Sequence, residues 1–324
     1  MNRFRVFLKN FTAGRKALVK RMGIYLGTAL AAFEVVNIFL EDGAMAEFCA
    51  NTSLFGVSLK SMLTNVLLYL GVGALLAVIR QSAFAHYTAR IAGTDVTLEI
   101  SMADIFSNNG ELVVPCNTTF AGRSDVIGDK SIQSQMTARL RQPKDSKLSN
   151  DEYFEQTVRE ALGTPACQSR KLPQQRELAG RLYDEYSYGT MANVTLPLDG
   201  KSRNVILLAV AQMQEAHKPR TDGIRLMQSI DDMWEQIAQD RTREQTLVVP
   251  VMGTGSAGIT DKPQQTVARY ILRTFADNAH RLGIRKLILS VYPQDYLDNK
   301  IDLEELRAYA DYLCRFPDSD FDIR

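Results

Sequence analysis

An apolar, β-branched run that stops at three closely spaced glycines constrains the fold of this chain more than any other feature. The run covers residues 247–251, and Gly253, Gly255 and Gly258 follow it. A helical pattern begins after Lys262-Pro263, because apolar residues recur there at three- and four-residue steps: Val267, Ala268, Ile271, Leu272, Phe275 and Ala279. The sequence therefore predicts a strand, a glycine loop and a helix in succession.

This succession favours phosphate binding at the glycine loop. Glycine lets backbone N–H groups approach an anion, and the N-terminus of a helix adds a positive partial charge. The spacing Gly253-x-Gly255-x-x-Gly258 also fits the dinucleotide-binding fingerprint, although that pattern alone is weakly specific. The alternative is a tight strand-to-helix turn without a ligand.

Composition excludes several classes of protein. The chain has 324 residues, enough for one domain with an appendage or for two small domains, and its formal net charge of +1 gives no overall case for nucleic-acid binding. Its 4 cysteines form no CxxC pair and no metal-binding spacing with its 3 histidines. We therefore expect reduced thiols, no structural metal site and a cytosolic main domain.

The N-terminal part of the chain has the pattern of a membrane hairpin. Residues 1–21 carry basic but no acidic side chains, and an apolar run follows over residues 22–40, interrupted by Glu34 and Asn37. A second apolar run covers about residues 56–79, and the connector between the runs is mostly acidic. Each run is long enough to cross a bilayer as a helix. By the positive-inside rule, we expect a multi-pass membrane protein with both termini in the cytoplasm.

Two other interpretations of this region are open. A cleaved signal peptide fits poorly, because a second apolar run follows the first. A buried helical hairpin is the other alternative. Small residues at Gly23, Gly27 and Ala31, and at Gly73 and Ala77, would permit close helix packing. We predict a membrane region over residues 1–90 and a second domain over residues 91–324.

The second domain has an α/β pattern. Strands are predicted where β-branched and apolar residues alternate or cluster: residues 96–101, 111–117, 192–198, 204–212, 246–251 and 286–292. Helical periodicity marks residues 153–162, 225–239, 264–279 and 303–313. Late in the chain strand and helix alternate, which indicates a mixed sheet flanked by helices.

Four strand ends of such a sheet can meet at one edge, where ligands of open α/β domains bind. Together they resemble the macro domain, an ADP-ribose-binding fold, over about residues 95–315. Ala103-Asp104-Ile105 matches its "GDI" element, residues 113–117 match the strand that usually reads "VNAAN", and Gly253 to Gly258 match its phosphate loop. The fourth strand end is Val291-Tyr292-Pro293.

The resemblance is closest to the macro domains of the ThsA group of Thoeris antiphage-defence effectors. Its motifs are an Asn-x-x-Phe segment at residues 117–120, a Ser-rich segment at 131–135 and a "YxxGT" element at 186–190. Two apolar helices ahead of the macro domain resemble the membrane-anchored, type II form, which implies a location in the bacterial inner membrane. The resemblance implies a non-enzymatic homo-oligomer that needs no cofactor. It would bind an ADP-ribose-type signal, histidine-ADP-ribose, made by a TIR-domain partner from NAD, and then disrupt the membrane and arrest or kill the infected cell.

The resemblance also implies roles for individual residues. Asp104 would accept a hydrogen bond from the adenine amino group, and Asn117 would donate one to the distal ribose; helix capping and strand-end capping are the respective alternatives. Tyr292 would stack on a ring or pack in the core. Backbone N–H groups would hold the diphosphate in the glycine segment, which consists of Gly253, Thr254, Gly255, Ser256, Ala257 and Gly258. Further contacts are expected from Ser131, Gln133, Arg123 and Asp125.

Two departures from the family pattern bear on activity. Ala121 follows Phe120 where the pattern has Asp, and "VPCN" replaces "VNAAN" at residues 114–117. Both argue against ordinary ADP-ribose hydrolysis. A membrane-anchored hydrolase of ADP-ribose conjugates remains the alternative, with Asp125 as the nearby carboxylate. A dinucleotide-dependent oxidoreductase fits less well, because its glycine loop normally follows the first strand of the fold.

Overall fold

A computed structural model gives the architecture of the chain. It describes residues 15–41, 47, 51–54, 57–58, 66–82, 86–142, 147–240, 245–252 and 261–317. The chain divides into two compact units, residues 1–85 and residues 86–324. The second unit begins with a strand, His86–Arg90, that pairs with the next strand of the same sheet.

The first unit contains two helices and a short strand pair. Helix α1 is Arg15–Glu41, strands β1 (Ser53–Leu54) and β2 (Val57–Ser58) pair antiparallel, and helix α2 is Val66–Ser82. The two helices pack together, and the rings of Phe33 and Tyr69 meet edge to face with their centroids 5.6 Å apart.

The structure contradicts the predicted membrane hairpin. Among the described residues, no helix is both long enough and apolar enough to cross a membrane. Residues 59–65 of the predicted second span lie outside the described residues, and the helix described after them, α2 (Val66–Ser82), has 17 residues. Helix α1 is longer but begins with basic residues and carries the exposed Glu34. The predicted multi-pass localisation in the inner membrane, with spans at 22–40 and 56–79, is therefore wrong.

The small residues in these helices differ in what they do. A Cβ atom added at Gly73 would lie 3.2 Å from the carbonyl oxygen of Tyr25 and 3.3 Å from the Leu26 side chain, so Gly73 permits the close approach of α1. Added at Gly23 or Gly27, it would meet no heavy atom of the described chain within 4 Å. Of these three glycines, only Gly73 therefore has the predicted role of allowing the two helices to pack closely.

The second unit is built on a mixed sheet of 8 strands. The strand order is β10-β9-β5-β11-β12-β4-β3, with β8 paired to β9 beside this path. The strands are β3 (His86–Arg90), β4 (Thr97–Ser101), β5 (Glu111–Asn117), β8 (Met191–Leu198), β9 (Lys201–Glu215), β10 (Lys218–Arg220), β11 (Thr246–Pro250) and β12 (Lys286–Ser290).

The helices of the second unit follow the predicted pattern in the later part of the chain. A 3₁₀ turn, Ile105–Ser107, follows β4. The α-helices are α3 (Ile132–Ala138), α4 (Asn150–Leu162), α5 (Pro165–Gln168), α6 (Gly223–Gln239), α7 (Gln264–Asn278), α8 (Pro293–Leu297) and α9 (Leu303–Arg315). The chain therefore has the predicted mixed α/β architecture of a sheet flanked by helices.

The central strands run parallel, which brings their carboxyl ends to one edge. Strand β5 pairs parallel with both β9 and β11, and β12 pairs parallel with β11 and β4. Burial of both faces explains why β5 and β11 are nearly continuous apolar runs. The predicted meeting of four strand ends at one edge is thus present in the fold.

Helix α6 packs one face into the core, since Leu226, Ile230, Met233, Trp234 and Ile237 are fully buried. Ile224 is 66% exposed, because it lies in the first turn, off the buried face. A tight hairpin turn at Asp199 and Gly200, both with positive φ, joins β8 to β9.

A second, two-stranded sheet was missed by the sequence analysis. Strands β6 (Lys171–Leu178) and β7 (Arg181–Tyr186) pair antiparallel outside the main sheet. The side chains of β6 are mostly exposed, so the strand lacks the apolar alternation by which half-buried strands are recognised.

Candidate functional site

A cavity lies at the carboxyl ends of β5 and β9. Its volume is about 130 Å³, which admits one ring-sized group and not a whole dinucleotide. The lining is mostly apolar and comes from β5, the segment before α3, β9, β10 and the residues after β11. The described lining residues are Pro115, Cys116, Asn117, Ile127, Gly128, Lys130, Ser131, Ile132, Gln133, Val210, Ala211, Met213, Pro219, Val251 and Met252.

Asn117 organises the turn that forms one wall of the cavity. Its Oδ1 accepts hydrogen bonds from the Thr119 amide at 3.1 Å, the Thr119 hydroxyl at 2.6 Å and the Ala121 amide at 3.2 Å. Its Nδ2 donates to the Ala121 carbonyl oxygen at 2.8 Å. Phe120 takes a left-handed backbone with φ of 54°, which the turn holds in place. The side chain of Asn117 thus caps the strand end and lines the cavity at once.

Ser131 and Gln133 also line the cavity, at the start of α3. The Ser131 hydroxyl oxygen caps the helix by accepting from the Ser134 amide at 3.0 Å. Gln133 is only 2% exposed, and its Nε2 donates to the Ala121 carbonyl oxygen at 3.2 Å. That carbonyl oxygen therefore joins the Asn117 turn to α3 across the cavity wall.

Asp104 caps the 3₁₀ turn after β4. Its Oδ1 accepts from the Phe106 amide at 3.1 Å, and its Oδ2 accepts from a guanidinium nitrogen of Arg139 at 2.7 Å. Arg139 also lies over the ring of Phe106, 4.7 Å from the centroid. Asp104 is not among the residues that line the cavity, but its side chain is 37% exposed and so remains accessible to a ligand.

The predicted glycine segment, Gly253 to Gly258, lies outside the described residues. Its two flanks are described. Val251 and Met252 line the cavity, and Asp261 accepts the Gly223 amide with both carboxylate oxygens, at 3.1 and 3.0 Å. A Cβ at Gly223 would lie 2.3 Å from the Lys262 side chain, so glycine is required for this close approach to the start of α6.

The other predicted residues lie away from the cavity. Tyr292 is 52% exposed at the start of α8 and is not a lining residue. Arg123 and Asp125 bind each other through paired hydrogen bonds of 3.0 Å. The hydrogen bond from Arg123 lowers the pKa of the Asp125 carboxyl, which makes it a weaker base. These two residues form an ion pair with each other, and neither lines the cavity.

Sequence reasoning missed a buried carboxylate behind the Asn117 turn. Glu185 on β7 is 1% exposed, and it accepts from Thr118 at 3.1 Å and from Gln212 at 2.7 Å. Arg176 and Gln174 of β6 also donate to it. Burial alone would raise the pKa of Glu185, but the hydrogen bonds from Gln212 and Arg176 lower it on balance. Through these hydrogen bonds the Glu185 carboxylate connects β6, β7 and β9 to the Asn117 turn.

Comparison with known proteins agrees with the sequence motifs. The sequence profile of the macro domain of the Thoeris protein ThsA matches residues 98–291, more than half of the chain. No curated protein matches the chain.

Solved structures of macro domains from Oceanobacillus iheyensis are also similar. One, with ADP, has 12% sequence identity and a TM-score of 0.40, and the match covers 67% of this chain and 99% of that one. Another, with MES bound, has 12% identity and a TM-score of 0.43, covering 70% and 98%.

Proposed function

The chain belongs to the macro-domain family of the Thoeris protein ThsA, and from that premise we propose that it is the receptor for an ADP-ribose-type signal in antiphage defence. A partner TIR-domain enzyme would make the signal, with histidine-ADP-ribose as the first candidate. In this proposal the chain binds the signal without consuming it and needs no cofactor. The bilayer, predicted above as a partner, forms no part of it.

The observation that carries the proposal is the position of the cavity. It lies at the carboxyl ends of β5 and β9, between the Asn117 turn and Met252, where the glycine segment begins. Ligands of open α/β sheets bind at this edge. A ribose-sized volume beside a segment suited to phosphate is the arrangement that a nucleoside-diphosphate sugar requires.

The strand order gives the direction in which such a ligand would lie. Along the edge the strands follow in the order β4, β12, β11, β5 and β9. Asp104 follows β4, the glycine segment follows β11, and Asn117 ends β5. An extended ligand would thus place adenine near Asp104, its diphosphate near the glycine segment and its distal ribose beside Asn117.

Binding without hydrolysis is supported by the chemistry of the lining. Hydrolysis needs a positioned base or an activated water near the distal ribose. Among the described residues that line the cavity there is no carboxylate and no histidine. Burial raises the pKa of the Cys116 thiol, so this lining residue stays protonated and is a poor nucleophile.

We extend the proposal to self-association in the occupied state. A ligand changes assembly only if it binds one arrangement of the protein more tightly than another. Thr118, next to Asn117, donates a hydrogen bond to Glu185 of β7 and so connects the Asn117 turn to the outer β6–β7 sheet. Occupancy could in this way favour one conformation of an exposed surface.

The test is thermal unfolding of the full chain with ADP-ribose, histidine-ADP-ribose, NAD or no ligand. A ligand at 100 times its dissociation constant adds about 2.7 kcal/mol to the free energy of unfolding. We expect stabilisation by the ADP-ribose compounds and a larger hydrodynamic size when they are present. Stabilisation by NAD alone would favour the oxidoreductase, and no shift with any nucleotide would contradict the proposal.

A further inference from the structure

Strand β7 has one free edge among the described strands. It pairs with β6 on one side, and no other described strand pairs with it. The two strands are joined at residues 179–180, whose φ values of 49° and 72° are those of a type I′ turn. Such a turn makes Leu178 and Arg181 a hydrogen-bonded pair. Because the direction of the backbone groups alternates along a strand, those of Leu182 and Asp184 point away from β6.

The hydrogen bonding of Tyr186 agrees with this direction. Its amide donates to the Thr118 carbonyl oxygen at 2.9 Å, outside the hairpin. Tyr186 lies at the same phase of the strand as Leu182 and Asp184, so the backbone groups of all three point to the same side. In the described part of the chain, no backbone group bonds to the outward N–H and C=O groups of Leu182 and Asp184.

The two edges of the hairpin differ in how they are protected. Proline residues and irregular pairing commonly block an exposed strand edge. Strand β6 contains Pro173 and a register shift between Lys171 and Gln175, whereas β7 has at its edge Leu182, which is 68% exposed. The carboxylate of Asp184 is held by β6, since Lys171 and Gln175 donate to it at 2.6 and 2.8 Å. The edge of β7 is therefore the one that is open to another strand.

A groove of about 460 Å³ runs beside β7 and contains charges of both signs. It lies between β7 and α4. Its described charged lining residues balance in sign: Glu155, Arg159, Arg181 and Asp184. A surface that carries both signs can be complementary to a copy of itself, as a twofold interface requires. A partner with charges of one sign would leave half of these groups unmatched.

We propose that two copies of the chain pair through the free edges of β7, antiparallel and about a twofold axis, into one continuous sheet β6–β7–β7–β6. The register that uses the free backbone groups of both copies pairs Leu182 of each with Asp184 of the other. The two exposed Leu182 side chains then become diagonal neighbours on one face of the sheet. The Arg181 end of one strand lies beside the Asp184 end of the other, which matches opposite charges.

The position of the groove connects this surface to the strand-end cavity. Thr119 and Phe120 line the groove, and Asn117, which begins the same turn, lines the cavity. A change in the turn therefore reaches both sites. The free edge of β7 would in this way serve the self-association proposed above, and to that extent the pairing rests on the proposed function.

Sedimentation velocity of the full chain, with and without ADP-ribose, measures the dissociation constant of the dimer. Leu182→Pro removes an outward N–H and keeps the hydrogen bonds to β6, because proline is tolerated at such edge positions. We expect the wild type to dimerise and Leu182→Pro to raise the dissociation constant at least about tenfold. Leu182→Lys keeps the amide and places like charges near the twofold axis, so it should weaken the dimer as well. It replaces the proline variant if that variant loses thermal stability.

Glu177→Pro is the matched control. Glu177 pairs with Leu182, so its N–H points outward at the opposite edge of the hairpin, and the dimer should be unaffected. Unchanged dimerisation in both Leu182 variants, or an equal loss in Glu177→Pro, would overturn the inference. A wild type that binds ADP-ribose and stays monomeric would overturn it and leave the receptor proposal standing. Dimerisation through β7 without any binding of ADP-ribose would support the pairing and contradict the proposed ligand.

Discussion

Asn117 and Ala121 are joined by two hydrogen bonds in opposite directions. The Ala121 amide donates to Oδ1 of Asn117 at 3.2 Å, and Nδ2 of Asn117 donates to the Ala121 carbonyl oxygen at 2.8 Å. Both residues are buried. An amide side chain accepts at its oxygen and donates from its nitrogen, so both groups of Ala121 are held by one side chain and the shape of the turn is fixed.

Replacing Asn117 should therefore damage both stability and ligand binding. Asn117→Ala leaves buried backbone groups without partners, and we expect the free energy of unfolding to fall by about 2–4 kcal/mol. Gln133→Leu should cost less, because the Ala121 carbonyl oxygen keeps its bond to Asn117. Urea unfolding of the two variants measures which one loses more free energy of unfolding. A larger loss in Gln133→Leu would show that Asn117 does not hold the turn.

Asp104 should discriminate between bases if it receives the adenine amino group. Asp104→Asn should weaken binding of ADP-ribose about tenfold, and it should hardly affect an analogue with hypoxanthine in place of adenine. A double-mutant cycle over protein and ligand isolates this contact. Equal weakening for both bases would leave Asp104 with the role that the structure displays, as the cap of the 3₁₀ turn and partner of Arg139.

Gly122 should tolerate no side chain. A Cβ there would lie 2.1 Å from the ring of Phe154, which is fully buried beneath the Asn117 turn. Gly122→Ala should destabilise the chain by about 2–3 kcal/mol through overpacking. Gly163→Ala is the control, since its φ is −68° and the added Cβ would come no nearer than 3.2 Å to the Glu160 carbonyl oxygen. If the clash with Phe154 is the cause, the double variant Gly122→Ala/Phe154→Leu should regain part of the thermal stability that Gly122→Ala loses. A double variant no more stable than Gly122→Ala would contradict this explanation.

Glu185 should make stability depend on pH at the acidic end. Its pKa is lowered in the folded state, so its stabilisation is complete above the unfolded-state pKa of about 4.3 and is lost as the pH falls through the lower folded-state pKa. Glu185→Gln should cost about 1–3 kcal/mol at pH 7 and progressively less below about pH 4.

Urea unfolding between pH 7 and pH 3 measures this difference. Glu177→Gln is the control, because Glu177 is exposed on β6. A constant difference between the wild type and Glu185→Gln over the whole range would show that the charge of Glu185 does not stabilise the turn.

Local pattern was enough to predict the strands that end at the site, but not α3 or β10. Strand β5, strand β11 and helix α7 each carry their own periodicity, so the sequence showed which residues end a strand at the shared edge. Asn117 was found because it ends β5, whereas Ser131 and Gln133 came from the Ser-rich segment of the family resemblance. The structure brings all three to the cavity.

Other features depend on contacts between distant parts of the chain. The partners of Glu185 come from β6, β9 and the Asn117 turn, so no local pattern identifies it. The membrane prediction failed for a related reason. Hydropathy marks an apolar run but not the extent of the helices that form from it, and among the described residues no helix is both long enough and apolar enough to cross a membrane. Arg123 was likewise a candidate until its bond to Asp125 was visible.

Blocking the cavity is the most direct test of its role. Ile132 is half-buried at the start of α3 and lines the cavity, whereas Ala138 at the end of the same helix is exposed and does not. In calorimetric titrations of the full chain with ADP-ribose and histidine-ADP-ribose, we expect saturable binding to the wild type and to Ala138→Trp. Ile132→Trp should bind at least about tenfold more weakly. Equal binding by Ile132→Trp, or no binding by the folded wild type, would contradict the account.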